Sequence, residues 1–454
     1  MQFGLFGFLM DQFVLMFITL GIGMVVGKVL KLGVSGTLFV GLGIGWGVKK
    51  YASIIVANGS ATDKMIKIAK KVISISVVDE LFFTLFLIFF IATVGLLAAD
   101  KIGVVVRKYG VKFIILGFLI TGTGAAGTYL STFVFKNLNP YEVTGVYSGA
   151  LTSSPGLAAA IETTKEQASI KAESYLESST QEKEKILKII DKNLKVEDIE
   201  KLTDEQKKQY VTNAEAGIGT GHALGYPWGV IIVIVAMQFI PKILKINLNS
   251  EYERYNREIN EKSSDIKEIE SGPFDLAAFG IVCVVGYFVG VIKIYMGETL
   301  GWFSLGSTGG VLIVSLILGY VGRVGKLSFR MKKEILSEIR DIGLAMFLGI
   351  VGLRYGFAAV DSLTGSGIFL SITSIFVGVI AMLSGLLVGK YALGINWIML
   401  SGAICGGMTS TPGLGAAVAA VGGKDDPAAG YGATYPFALF GMVIFTIILH
   451  KLPI

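Results

Sequence analysis

Two short stretches carry most of the polar chemistry that this sequence sets in apolar surroundings: TSSPGLAAA, Thr152 to Ala160, and TSTPGLGAA, Thr409 to Ala417. Thr152, Ser153 and Ser154 in the first, and Thr409, Ser410 and Thr411 in the second, offer hydroxyls that donate and accept hydrogen bonds. Pro155-Gly156 and Pro412-Gly413 break a helix and free backbone N–H and C=O groups. In hydrocarbon, freed groups must find partners in protein, water or a bound solute. Two such tips meeting near a membrane midplane would present N–H groups to a carboxylate and carbonyls to a cation. Tyr226-Pro227 and Tyr435-Pro436 add to this. Each is expected to open a helix, with proline in the first turn and Thr434 as an N-cap, giving a partly positive end beside the tips. Tyr226 and Tyr435 would then close the site. This chemistry suits a carboxylate better than an amine or a sugar. The plainer alternative is close packing, because small and hydroxyl residues let membrane helices approach and share hydrogen bonds.

The elements that would position these tips are membrane spans. Apolar residues fill 53% of the 454 positions and charged residues only 16%, against about 25% charged in soluble domains. Runs long enough to cross a bilayer are Phe13–Leu30, Leu81–Ala99, Phe113–Phe135, Leu276–Ile292 and Ile368–Val388. Shorter candidates are Leu32–Val48, Tyr226–Ile240, Leu305–Val321, Ile342–Gly356 and Tyr435–Leu449. The expected fold class is an all-α polytopic membrane protein of about ten spans. The N-terminus lacks the positive segment of a secretory leader and is expected to run into an uncleaved first span.

The doubled phrase belongs to a longer repeat. A separation of 257 relates Thr152 to Thr409, Asn139 to Asn396, Gly145 to Gly402 and Gly149 to Gly406. Between Asn139–Ala160 and Asn396–Ala417, 10 of 22 positions are identical without a gap. Greasy helices match by chance at Leu, Ala and Gly, but not at Asn, Thr-Ser and Pro-Gly in one register. Two halves are therefore expected, residues 1–244 and 274–454, joined by a polar connector at 245–273. With five spans in each half, the second must enter the membrane with opposite polarity, the inverted repeat of secondary transporters. Val143–Glu162 is read as a re-entrant hairpin, with a broken crossing helix as the alternative. In the latter case each half would have six spans and the repeats would be parallel.

Two polar segments interrupt the pattern. Thr163–Glu215 holds 10 lysines against 12 acidic residues, with Leu and Ile at helical spacing and a capping-box pattern at Thr203. The second segment, Lys242 to Pro273, contains the connector and is also mixed in charge. Both read as solvated helical segments. Charges within apolar runs are costly and usually functional. Arg354 could hold a substrate carboxylate or snorkel to the interface. His222, ahead of Tyr226, reads as structural, with proton coupling as the other possibility. With the N-terminus outside, the basic loops Lys101–Lys112 and Arg323–Arg340 face the cytoplasm, but Lys49, Lys50, Lys64, Lys67, Lys70 and Lys71 then face outward.

The sequence excludes much else. Cys283 and Cys405 have no partner spacing, and only two histidines exist, so no disulfide framework, metal site or haem is expected. A net charge of +6 is modest and implies no nucleic-acid partner. The familiar hydrolase, zinc-protease, nucleotide-binding and dithiol motifs are absent, so no enzyme is expected.

GALTSSPGLAAA and GGMTSTPGLGAA, each followed by a Tyr-Pro pair, resemble the aspartate:alanine exchanger family of bacterial permeases. More distantly, ATVGL, GLAMFLGIVGL and the terminal KLPI resemble the sodium/glutamate symporter family. The resemblance spans both membrane halves. It implies a ten-span inverted-repeat permease, an elevator-type dimer in the bacterial inner membrane, moving amino acids or small dicarboxylates. Its paired hairpin motifs fall at Thr152–Leu157 and Thr409–Leu414. Many members carry a large regulatory domain between their halves, where this chain has only the short connector, and here a charged insert follows the first hairpin. The function expected is exchange or co-transport of a small carboxylate-bearing solute with no resident cofactor, sodium or proton coupling being open. A sodium-coupled symporter and a non-cycling channel or sensor are the alternatives.

Overall fold

The computed structural model describes residues 5–30, 34, 36–58, 61–99, 102–135, 138–191, 193–260, 271–295, 297, 302–361 and 367–452. The chain runs through α1 (Leu5–Leu9), α2 (Gln12–Val29), α3 (Gly36–Asn58), α4 (Asp63–Ser74), α5 (Glu80–Ala98) and α6 (Ile102–Val134). It continues with α7 (Pro140–Ala150), α8 (Ser154–Glu173), α9 (Thr180–Ile190), α10 (Asp204–Ile243) and the connector helix α11 (Leu248–Asn260). The second half holds α12 (Leu276–Val291), α13 (Gly306–Val321), α14 (Lys333–Asp361), α15 (Gly367–Leu387), α16 (Trp397–Gly407), α17 (Thr411–Ala420) and α18 (Pro427–Lys451). Two antiparallel ribbons flank α13, pairing Ile294–Tyr295 with Trp302–Phe303 and Arg323–Val324 with Leu327–Ser328.

The protein is an all-α polytopic membrane protein. Among the described residues seven helices, α2, α3, α5, α6, α10, α15 and α18, are long and apolar enough to cross a bilayer. The ten apolar runs of the sequence all fall on helices, although Leu32–Val48 begins outside the described residues. At 16 residues each, α12 and α13 reach only about 24 Å, while α14 has 29 residues but opens with charged ones. Local chemistry starts many of these helices. Asp11 caps α2, accepting from Phe13 N at 2.9 Å, and Asp79 caps α5, accepting from Leu81 N at 2.9 Å. Asn139 with Pro140 behind it opens α7, and Asn396 opens α16 in the same way.

The helices sort into two groups. In one, α3 packs on α14, α12 on α13, and α5 on both α13 and α14, with α2 against α3. In the other, α7 packs on α10, α16 on α18, and α6 on α15 and α18, enclosing α8 and α17. Between groups the packing is sparser, chiefly α10 on α14 and α18 on α5 and α13.

The charged segment at 163–215 is an extension of the second group. It lengthens α8 and α10 and folds α9 between them around Ala168, Tyr175, Leu187, Tyr210 and Ala214. The capping box expected at Thr203 is present, with Gln206 as its return partner, and Ser179 with Glu182 makes a second one.

Candidate functional site

The two repeated phrases form the turns of two helical hairpins, α7–α8 and α16–α17. Ala160 of α8 shares an apolar cluster with Tyr141 of α7, so the chain returns rather than crossing. Both ends of α16–α17 reach α11, through Asn396 and Val421. The hairpins enter from opposite ends of the bundle. The 33-residue α6 carries Tyr109, bonded to Asn396 at the foot of the second hairpin, and at its other end leads into the first.

At the tips the sequence repeat becomes an exchange of equivalent contacts. Thr152 Oγ1 donates to the Met408 carbonyl at 3.3 Å, and Thr409 Oγ1 donates to the Leu151 carbonyl at 2.9 Å. Met408 stands to Leu151 as Thr409 does to Thr152, so each tip gives the other the same bond. Both threonines take a left-handed backbone, φ 54° and 50°. Ser153 N donates to the Ser148 carbonyl and Ser410 N to the Cys405 carbonyl, each at 2.8 Å. Ser153 and Ser410 then cap α8 and α17, accepting from Gly156 N at 3.1 Å and Gly413 N at 3.2 Å. Ser154-Pro155 and Thr411-Pro412 fill the first turns behind these caps. The Ser154 and Pro155 side chains lie outside the described residues. Gly156 abuts Met442 of α18, and Gly413 abuts Val233 of α10, so each hairpin's second arm packs on the long helix of the opposite half.

The Tyr-Pro pairs correct one expectation. They do not open helices. Tyr226-Pro227 lies well inside α10, and Tyr435-Pro436 lies inside α18, which starts instead at Pro427. Thr434 is no N-cap, because its Oγ1 donates one turn back to the Gly430 carbonyl at 2.9 Å. The helices continue upstream because the turns before the prolines are needed for packing. A Cβ on Gly145 would strike the Ile218 carbonyl, and one on Gly402 the Pro427 carbonyl. Gly149 meets His222 and Gly225, as Gly406 meets Tyr431 and Thr434. A single separation of 209 relates these partners, and Tyr226 to Tyr435 as well. Each internal proline leaves the carbonyl four residues back, at Ala223 and Gly432, without its helical donor.

The tyrosines face the other helix group. Tyr226 packs its ring on Tyr355 of α14 with centroids 4.7 Å apart. The Tyr435 hydroxyl lies 3.4 Å from Thr308 Oγ1 of α13, and its ring stacks on Tyr431. Arg354 is not brought to the tips. Its guanidinium donates to the Val78 carbonyl at 2.5 Å and lies 3.4 Å from Glu80, holding the turn before α5.

Sequence reasoning singled out His222 and Thr411 but passed over their partners behind the tips, Ser148 and Tyr431. Buried His222 Nδ1 lies 2.9 Å from Ser148 Oγ of α7. At the corresponding place in the second half stands Tyr431, whose hydroxyl lies 3.2 Å from Thr411 Oγ1. The signal was available, since the 257 separation pairs Ser148 with Cys405 and the 209 separation pairs His222 with Tyr431, but both partners change identity.

The connector contributes too. Glu258 of α11 accepts from Asn396 Nδ2 at 2.7 Å, from Arg254 Nε at 3.0 Å, and from the Tyr109 hydroxyl. Glu251 accepts from Trp397 N at 2.6 Å. Burial pushes the Glu258 carboxyl up, but the hydrogen bonds from Tyr109, Asn396 and Arg254 outweigh it and hold the group below the usual range. Asp425, in the turn between α17 and α18, is held above its ordinary value by burial, against the pull of Arg340. Among the described residues no group of three metal-ligating side chains is assembled.

A family of membrane permeases, described as a predicted permease membrane region, matches residues 13–242 and 278–451, both helical halves without the connector. An uncharacterized transporter of Bacteroides thetaiotaomicron is 36% identical over 182 residues, 40% of this chain and 34% of the relative. A transporter of Desulfotalea psychrophila is 34% identical over 162 residues, and one of Rhodopirellula baltica 36% over 165, each match covering 36% of this chain and 30% of the relative. The chain thus spans about a third of the length of the curated relatives it matches. With the paired hairpins and the family match in hand, the chain belongs to the aspartate–alanine exchanger family of membrane permeases.

Proposed function

We propose that this permease is a secondary carrier that exchanges a small carboxylate-bearing solute, of the aspartate or alanine kind, across a bacterial inner membrane. The observation that carries the reading is the paired tip, two capped helix starts and two left-handed threonines held against each other deep in one helix group. Capped helix N-termini offer N–H groups to a carboxylate. Carbonyls freed by Pro227 and Pro436 offer acceptors to an ammonium group or a cation. Thr152, Ser153, Ser154 and Gly156 would line one arm, and Thr409, Ser410, Thr411 and Gly413 the other.

The sparse packing between the helix groups supports an elevator cycle. In it α6–α8, α10 and α15–α18 move as a body, and the group containing α3, α5 and α14 stays fixed, as a homodimer scaffold. Hairpins entering from opposite ends suit inverted-topology repeats, with one hairpin gating each side. In the present arrangement each tip threonine donates to the carbonyl just ahead of the other, Thr152 to Met408 and Thr409 to Leu151. Bound solute would compete for those hydroxyls.

Uptake of labelled aspartate into proteoliposomes tests this, with vesicles preloaded with aspartate, alanine, glutamate or nothing, and with or without a sodium gradient. Uptake that requires an internal amino acid is the expected result. Sodium-driven uptake into empty vesicles would replace exchange by symport. Non-saturable flux without trans-stimulation would overturn the carrier reading.

A further inference from the structure

Near the start of α14 the two helix groups are joined by a buried charge pair. Arg340 is only 5% exposed. Its Nη1 bonds Asp425 Oδ1, in the turn between α17 and α18, and the Gly423 carbonyl of that turn at 3.2 Å. Its Nε and Nη2 bond Asp341 on its own helix, each at 2.8 Å. The turn is gripped from its other side by α11. Tyr255 donates to Asp426 Oδ1 at 3.0 Å, Tyr252 donates to the Val421 carbonyl at 3.2 Å, and Lys424 Nζ sits 3.9 Å over the Tyr252 ring.

Beside the pair lies a cavity of about 310 Å3. Leu97 and Ala98 of α5 and Lys333 and Ser337 of α14 line it from the fixed group, and Gly423–Asp426 and Ala429 line it from the moving one. The groups therefore stand apart here, and the charge pair spans the edge of the gap.

We propose that Arg340–Asp425 is a releasable latch, closed when the second hairpin is shut on this face and broken when the hairpin group moves. The proposal rests on the carrier reading above. Breaking a buried pair by stranding one partner is strongly destabilising. The surroundings avoid that penalty on both sides. Arg340 keeps Asp341, whose side chain is 58% exposed, as a second carboxylate. Asp425 faces a cavity that Lys333 and Lys424 also line. A purely structural pair would need neither the spare carboxylate nor the gap.

The test is thiol labelling in detergent, with Cys283 and Cys405 replaced by serine and a single cysteine placed in the cavity wall as Ser337→Cys. Arg340→Gln and Asp425→Asn are each expected to speed reaction with a small charged methanethiosulfonate by about tenfold or more. The exchanged pair Arg340→Asp with Asp425→Arg should return the rate toward that of the parent. Unchanged labelling in both single variants, with melting curves confirming that they are folded, overturns the latch. A second arm bridges Arg340→Cys and Asp425→Cys with a bifunctional methanethiosulfonate long enough to replace the Arg–Asp side chains, which a direct disulfide is too short to span. Uptake lost on bridging and restored by reduction supports the latch, and full uptake by protein shown to be bridged overturns it while leaving the carrier reading intact. Labelling needs no solute. A parent that moves none of the amino acids offered, yet whose variants label faster, would count against the carrier and not against the latch.

Discussion

Thr152 and Thr409 sit at φ 54° and 50°, a conformation that costs a side-chain-bearing residue about 1–2 kcal/mol and suits a β-branched one least. Glycine would relieve that cost, so the hydroxyls are the reason to expect threonine there. Thr409→Ser keeps the donor to the Leu151 carbonyl and is expected to retain most transport. Thr409→Val keeps the shape and strands that carbonyl, for a loss of about 1–3 kcal/mol in thermal or chemical denaturation. Thr152→Val should cost less, because its bond to the Met408 carbonyl is longer. No loss of stability in either valine variant would argue against the exchange of bonds as drawn. Most tip residues were legible because a hydroxyl phrase with Pro-Gly is rare in apolar sequence. Arg354 was only half legible. Its position at a span end is visible in sequence, but the Val78 carbonyl that holds it lies 276 residues away.

The hairpin arms depend on their caps. Ser153→Ala and Ser410→Ala should each cost about 1 kcal/mol, and by similar amounts, since the capping geometries match. The connector helix α11 carries a pH dependence. Glu258 has a depressed carboxyl, so its contribution to holding Asn396 is complete above the ordinary carboxylate range, about pH 4.3, and is lost as pH falls through the depressed value. Emission of Trp397, with the other tryptophans replaced by phenylalanine, should report that loss below about pH 4. Glu258→Gln should flatten the transition. Span positions were readable at this scale from hydropathy alone. The Tyr-Pro pairs were misplaced because a proline near the start of an apolar run reads as a helix opening. The small residues upstream, Gly221 and Gly430 among them, belong to the same helices, and only their packing on α7 and α16 reveals it.

Across the whole molecule the repeat was legible from one offset, and the swapped packing of Gly156 on Met442 and Gly413 on Val233 gives it physical form. The division into two helix groups was not legible, because every helix concerned is apolar and nothing in composition says which neighbour it takes. The role of α11 was hidden for a similar reason. A solvated, mixed-charge segment looks the same whether it floats or grips. An oxidised crosslink between Tyr226→Cys and Tyr355→Cys, in a cysteine-free background, would tie the groups at their stacked rings and is expected to stop uptake while leaving solute-induced thermal stabilisation in place. Uptake at the unlinked rate would mean that these helices do not slide past each other.

The two hairpins are alike at their tips and unlike at their feet. The first is rooted in the folded insert, where Tyr141 meets Tyr210 across 2.8 Å and Thr164 meets His450. The second is rooted in a six-residue turn gripped by α11 and Arg340. For a carrier of the proposed kind, anchors of different make give the two faces different opening costs. Each exchange cycle passes through both faces, so the maximal rate is common to the two orientations, while the solute concentration that half-saturates each face carries its own opening cost. Right-side-out and inside-out vesicles are therefore expected to give unequal half-saturating concentrations at equal maximal rates.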